Sequence, residues 1–428
     1  MPNPLGIATK GKGFIPMLVR GQAILSRYGL TPGKLDASLQ EMTATLRQYN
    51  CSATLPVTAS ALTANPAVAR KYHLQGIELA IHGLRHLDHS ILDLETQLDH
   101  LRQARNIFQN IGIPIAGFRC PYLRWNTDTL VALSESGFTY DSSQALASDV
   151  VQGMETDSYR RVLDFYSAQF ERDYPALPSL SDGLVRIPYC LPDDEALIDR
   201  LHITDEKIIA DIWLSMLDRA YQAGELFTLG LHPERAPACQ AALQAVLAKA
   251  RSLSPSVWIA RLNEITAWFQ ALGGASFEIH SQGDGLYHIN IAAPDRATVL
   301  VRSIDTKADT QPWIAGYKKV STKEFTLRSD IRPLVGLAPG SPASMQRFLR
   351  HQGYLAEMST DSQTYAIFLD RPSFGPEDER PLLTELESSH WPVVRLSRWP
   401  EAARCGLAIT GDVDALTIWD YVKRIGAG

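Results

Sequence analysis

The sequence predicts an α/β protein built on a parallel sheet or barrel, with a second, strand-rich segment near its C-terminal end. Three observations carry this. From about residue 30 to 272, short apolar runs alternate with segments of helical periodicity, the signature of strand–helix–strand repeats. After Gly274 the pattern turns to period-two alternation and β-branched runs separated by Gly, Asp and Pro turns. At 428 residues the chain is long enough for two or three domains.

The elements follow in order. Pro32 opens a helix whose apolar positions are Leu35, Leu39, Met42, Leu46 and Tyr49. Residues 51–57 read as a strand, a turn follows around Asn65-Pro66, and residues 78–81 form another strand. Leu94, Leu98, Leu101, Ala104 and Phe108 mark one face of a helix that ends at Gly112. Residues 113–118, 183–187 and 226–231 are strand candidates, with helices at about 208–222 and 236–252. Residues 257–272 read as an amphipathic helix closed by Gly273-Gly274, with Trp258 and Trp268 in the core. Residues 275 to about 338 read as an antiparallel sheet. Helices at 343–351 and 377–387 and strands at 354–358, 365–369 and 393–396 complete the segment.

Composition narrows the function classes. Lys and Arg number 41 against 47 Asp and Glu, so no global basic surface invites nucleic acid. Five cysteines without C-x-x-C spacing argue against a disulfide framework or a zinc ribbon. No run reaches the length of a membrane span, and Lys12, Arg20 and Gln22 interrupt any apolar stretch of signal-peptide length. The expectation is a cytoplasmic enzyme. The Lys10–Gly13 stretch reads as a flexible terminus.

Candidate chemistry clusters after strands. His82-Gly-Leu-Arg-His86 follows the 78–81 strand, and two imidazoles four apart can share one face of a helical turn and bind one metal ion. Two surface histidines are the plain alternative. Phe118-Arg119-Cys-Pro-Tyr122 sets a rigid Pro and an Arg after the next strand, where the guanidinium can tether a carboxylate. Leu229-Gly-Leu231-His232-Pro233 ends another strand with a histidine suited to general acid work.

These three motifs in this order resemble the polysaccharide deacetylase superfamily, also called NodB-homology or carbohydrate esterase family four, over about residues 30–272. His82/His86 is similar to its second motif, Arg119–Tyr122 to its third, and Leu229–His232 to its fifth. The family's opening Asp motif is missing upstream: no acidic residue lies between Met1 and Lys34. Near the C-terminus, Thr410-Gly-Asp412-Val-Asp414 follows a short apolar strand and resembles that motif in its D-x-D form. Period-two geometry places both carboxylates on one side. A solvated D-x-D in a terminal turn is the alternative.

The resemblance implies a distorted (β/α) barrel of deacetylase type, circularly permuted, with an additional mixed α+β domain. Residues 1–273 would form the main part of the barrel, 274–397 the additional domain, and 398–428 the first barrel strand. That strand would sit beside residues 51–57, with 415–428 and 1–30 making the connection. It also implies a metal-dependent hydrolase that removes a small acyl group from an N-acylated amino sugar, or acts on a small amide. His82, His86 and Asp414 would hold one divalent ion, zinc first, with cobalt, manganese or nickel as alternatives. Asp412 would be the base held by Arg119, the Tyr122 N–H an oxyanion donor, and His232 the acid.

Leu229 and Leu231 would line the acyl pocket, with Trp125 and Asp141 as substrate-binding candidates. In the family's fourth motif, Gln144 replaces the second Asp and no Trp follows. Asp141 in a turn and Trp125 in packing are equal alternatives. Asp193-Asp194-Glu195 reads as the acidic first turn of a helix. His89 and Asp88 gain no role from adjacency alone. A carbohydrate-binding pseudoenzyme and a hydrolase of non-sugar amides or imides stand as competing readings. Homo-oligomerisation stays open.

Overall fold

The structure, a computed structural model, describes residues 28–426 apart from Asp182. The Lys10–Gly13 stretch and most of the expected 1–30 connection lie outside these residues. Its central feature is a curled twelve-stranded sheet. Its strands are β1 (Thr54–Val57), β2 (Glu78–Ile81), β3 (Gly117–Phe118), β4 (Tyr140–Asp141), β5 (Ala145–Ala147), β6 (Gln169–Phe170), β7 (Ser179–Ser181), β8 (Leu184–Arg186), β9 (Tyr189–Leu191), β10 (Leu226–Leu231), β11 (Val257–Ile259) and β23 (Cys405–Gly411). The order is β6-β5-β9-β10-β23-β1-β2-β3-β4-β8-β7, with β11 also on β23. Every pairing is parallel except β7 with β8.

The last strand in the chain therefore lies in the middle of the sheet. β23 aligns with β10 from Leu226↔Gly406 to Leu231↔Gly411, and meets β1 at Thr54↔Thr410. All seven of its residues are buried, as its apolar, small-residue sequence requires of a strand covered on both faces. Beyond it the backbone stays paired: the Val413 N–H donates to Pro56 O at 2.8 Å. The start and end of the described chain meet here too, with Ile418 N–H donating to Gly29 O and the rings of Tyr28 and Tyr421 5.5 Å apart.

The two faces of the sheet bury different partners because strand side chains alternate. Leu55, Leu79, Ile81, Leu229, Leu231, Leu407 and Ile409 share one core with helices α1 (Gly33–Gln48), α4 (Leu94–Asn110), α7 (Glu206–Ala223) and α8 (Gln240–Ser252). Ala80, Tyr140, Val185, Leu226 and Ala408 share the other with helix α9 (Leu262–Gly273). The expected single helix over 257–272 is thus two elements. Val257–Ile259 joins β23 as β11, and α9 begins only where Glu264 caps the Arg261 N–H at 2.8 Å. The remaining helices beside this sheet are α2 (Ala59–Ala64), α3 (Pro66–Leu74), α5 (Thr127–Glu135), α6 (Asp157–Tyr166) and the terminal α12 (Ile418–Gly426).

Residues 276–396 build three smaller sheets. One is antiparallel: β12 (Ser276–Gly283), β13 (Leu286–Ala292), β18 (Glu324–Arg328) and β15 (Asp305–Thr306). A second, also antiparallel, orders β16 (Thr310–Pro312), β17 (Tyr317–Val320), β14 (Val299–Arg302) and β22 (Val393–Leu396). The third departs from the antiparallel expectation. β19 (Arg332–Leu337) lies between β20 (Ala356–Met358) and β21 (Tyr365–Leu369), parallel to both. Helix α10 (Ala343–His351) supplies the crossover that a parallel pair needs, and α11 (Pro376–Ser388) follows β21. No helix among the described residues is long and apolar enough to cross a membrane.

Candidate functional site

The candidate residues gather at the C-terminal ends of β2, β3, β10 and β23, where parallel α/β sheets place their reactive groups. His82 leaves β2 with its N–H still donating to Val57 O. His86 does not reach it by a helical turn: residues 82–88 form a non-helical loop. Gly83 makes the bend at φ +76°, where a Cβ would lie 2.7 Å from Arg85 O. The loop still brings both imidazoles to one point. Asp414 Oδ1 lies 3.4 Å from His82 Nε2 and 3.2 Å from His86 Nε2.

That trio offers one ligand atom each within 4.8 Å of one another, although residues 82 and 414 stand at opposite ends of the chain. The His82 tautomer suits it. Nδ1 is 2.9 Å from the Arg119 carbonyl oxygen, which can only accept, so the proton sits on Nδ1 and the Nε2 lone pair faces Asp414.

Asp412 stands two residues earlier in extended chain, its Oδ2 4.0 Å from His82 Nε2. Arg119 is fully buried and donates from Nη1 to Asp412 Oδ1 at 2.6 Å and to Thr410 Oγ1 at 3.1 Å. Its Nε and Nη2 go to the carbonyl and hydroxyl of Ser142, and Tyr189 covers the guanidinium plane at 4.6 Å. The carboxylate is therefore both paired and aimed. Tyr122 holds a left-handed backbone, φ 59°, and packs its ring edge on His86 at 4.4 Å.

His232 is organised by an acid that the sequence reading set aside. Asp194 accepts from the His232 N–H at 2.6 Å and lies 2.6 Å from its Nδ1. Burial opposes a charged imidazole here, but the Asp194 carboxylate outweighs it and holds His232 well above its ordinary range. The run 193–195 does open a helical segment, as expected, but it is buried rather than solvent-facing. Asp193 accepts from the Tyr189 hydroxyl and the Ala196 N–H, and Glu195 pairs with Arg200. Asp193, Asp194 and His232 also satisfy the geometry of a metal trio, but the His232–Asp194 hydrogen bond already engages the donors. A buried acidic run after Pro192 was the available signal.

The candidate substrate residues fare differently. Leu229 and Leu231 point into the helix-covered core rather than toward His232. Two-residue periodicity puts Gly230 on the His232 side instead, and the Tyr189 hydroxyl fills the space there, 1.9 Å from where a Cβ would stand. Asp141 is fully buried, accepting from the Ser143 hydroxyl and from Arg186. Ser143 in turn accepts from the Cys120 N–H, so Asp141 braces the loop that carries Arg119. Trp125, half-buried, lies under the Arg186 guanidinium at 3.8 Å, a packing role. Asp88 caps Ser90 and pairs with Arg124, and His89 bonds Gln97; both stabilise the loop.

Residues 32–140 match the family model described as polysaccharide deacetylase. No curated protein matches the chain. Among solved structures, it is similar to a protein from Mycobacterium smegmatis assigned to the polysaccharide deacetylases. Identity is 22% over 54% of this chain and 76% of that one, with a TM-score of 0.42. Puue allantoinase is similar at 20% identity over 54% of this chain and 71% of the other, TM-score 0.43. The family 4 carbohydrate esterase from Streptomyces lividans, in complex with acetate, is similar at 19% identity over 30% and 65%, TM-score 0.24. The family match thus covers residues 32–140, the stretch that holds His82, His86 and Arg119–Tyr122.

Proposed function

We propose that the protein is a metal-dependent amide hydrolase that removes an acetyl or other small acyl group from an N-acylated amino sugar. The observation that carries this reading is the joining of two opposed proton-handling groups to one ligand trio. Asp412 is locked by Arg119 at 2.6 Å, His232 is backed by Asp194 at 2.6 Å, and His82, His86 and Asp414 converge beside Asp412. Two imidazole nitrogens and a carboxylate oxygen are the donor set that a catalytic zinc takes, and the Nδ1–H of His82 is already committed to the backbone. Bound there, a divalent ion would polarise the amide carbonyl and acidify a water molecule.

The chain's own residues supply the rest. Asp412, held by Arg119, takes the proton as water oxygen attacks the acyl carbon. The Tyr122 N–H donates to the oxygen on which charge develops. His232, protonated because Asp194 stabilises its charge, gives its proton to the nitrogen as the C–N bond breaks, leaving a carboxylic acid and an amine. The buried arginine on the base and the buried acid behind His232 set the two duties apart.

In the same reading, β23 is the family's first barrel strand, displaced to the C-terminal end by circular permutation, and residues 274–397 form a separate domain. The experiment is turnover of the metal-loaded protein on N-acetyl and N-formyl amino sugars and on small cyclic imides. Release of acid from the sugar amides, lost in Asp412→Asn, supports the assignment. Turnover of imides alone would replace the sugar by a non-sugar amide. No turnover on any substrate, with sugar binding retained, would favour the pseudoenzyme.

A further inference from the structure

A cavity of about 350 Å³ opens between the large sheet and helices α10 and α11; it holds none of the His82, His86, Asp412, Asp414 or His232 side chains and touches the site described above only through Arg186, the partner of Asp141. Its volume falls within the range of small-molecule sites, about 300–1,000 Å³, which favour such junctions between packed units. One wall is aromatic and rigid. The His351 ring stacks on Phe269 at 4.0 Å and 12°, and Phe348 and Phe374 lie 5.4 Å apart. Burial lowers His351 to about 4, so the imidazole is a neutral wall.

The polar lining is open rather than internally satisfied. Gln352 is 1% exposed, yet its side-chain oxygen has no hydrogen-bond partner. Leaving such an acceptor buried and unmet costs more than a hydrogen bond returns, so its retention on a cavity wall points to a donor that enters. Arg347, five residues earlier and within α10, brings a guanidinium with no carboxylate partner among the described residues. Glu379, also on the wall, is raised to about 7 by burial and by Glu377, so near neutrality a large share of it can donate a proton in a hydrogen bond.

We propose that this cavity binds a small sugar acid, a hydroxylated ring carrying one carboxylate, at a site separate from the His82–Asp414 cluster. Arg347 takes the carboxylate, Gln352 accepts from a ring hydroxyl, and the Phe348 and Phe374 rings cover the C–H face. An unpaired guanidinium is what distinguishes this ligand from a neutral sugar. The assignment does not depend on the hydrolase reading.

Calorimetric titration of the full-length protein with D-glucuronate, and with D-glucose as the uncharged control, tests it. D-glucuronate should bind once per chain and about tenfold or more tighter than D-glucose, the effect of one charge-assisted contact. Arg347→Gln should bring D-glucuronate down to the D-glucose level, and Gln352→Met should weaken both. His82→Ala should leave binding intact. Equal affinity for the two sugars, indifference to Arg347→Gln, loss of binding in His82→Ala, or no binding of D-glucuronate would each overturn the proposal. Arg347 is surface-exposed, so its variant decides the matter even where Gln352→Met fails to fold.

Discussion

Replacing Arg119 by Met keeps the length of a buried side chain but removes its charge and all its donors. The guanidinium is fully buried, serves Asp412 at 2.6 Å, and makes three further hydrogen bonds, to Thr410 and twice to Ser142. Removing one member of a buried ion pair typically costs about 3–5 kcal/mol, because the remaining charge is left in a poor solvent. Asp412 is only 5% exposed, so it is stranded in this way. Arg119→Met should therefore lower the unfolding free energy of the metal-free protein by about 4 kcal/mol. Adding Asp412→Asn removes the stranded charge and should restore about 2 kcal/mol of that loss, a coupling that independent sites do not show. Urea denaturation of the wild type, both single variants and the double variant measures the cycle. Additive effects, or a loss under about 1 kcal/mol for Arg119→Met alone, would refute the idea that Arg119 exists to hold a buried carboxylate. Turnover should fall at least about 100-fold in Arg119→Met, the usual contribution of a positioned base.

Other outcomes follow from the same geometry. Asp194→Asn removes the charge that raises His232 while leaving the burial that lowers it. Because the acid must be protonated, wild-type kcat/KM should persist through neutral pH and decline only as pH rises through the raised value. In the variant that decline should begin below the ordinary imidazole value of about 6.5, and an unchanged profile would remove Asp194 as the positioning residue. Gly230→Ala sets a methyl 1.9 Å from the Tyr189 hydroxyl, which is tied to Asp193 at 2.7 Å, so thermal unfolding should show a loss of about 1–3 kcal/mol; a stable variant would mean that the Tyr189 ring is free to move.

Much of this centre could be read in the sequence because its parts sit at strand ends with local signatures. His82, Arg119 and His232 each follow an apolar run, and the D-x-D follows another, so residue type and position together mark them. The placement of β23 beside β1 was also expected, from the absence of acids before Lys34 and the T-G-D-x-D at the far end, whereas its pairing with β10 was not. What escaped the reading depends on contacts that a linear pattern does not encode. Asp194 looks like any acid at a helix start, and only the crossover from β9 to β10 brings it to His232. Leu229 and Leu231 look like pocket walls beside a histidine, yet strand alternation assigns that side to Gly230. Asp141 braces a loop through Ser143 and Arg186, contacts that its place in the sequence does not announce. The parallel pairing of β19 was hidden for a related reason: a short buried strand reads alike in parallel and antiparallel sheets, and its crossover helix comes after it.

The central claim is that residues from opposite ends of the chain share one metal ion. Metal content per chain, measured on the purified wild type, His82→Ala and Asp414→Ala after equilibration with zinc, tests it most directly. About one ion is expected in the wild type, and its loss in both variants. Retention of the ion in Asp414→Ala, with loss in His82→Ala, would show that the C-terminal aspartate is a neighbour of the site and not a ligand.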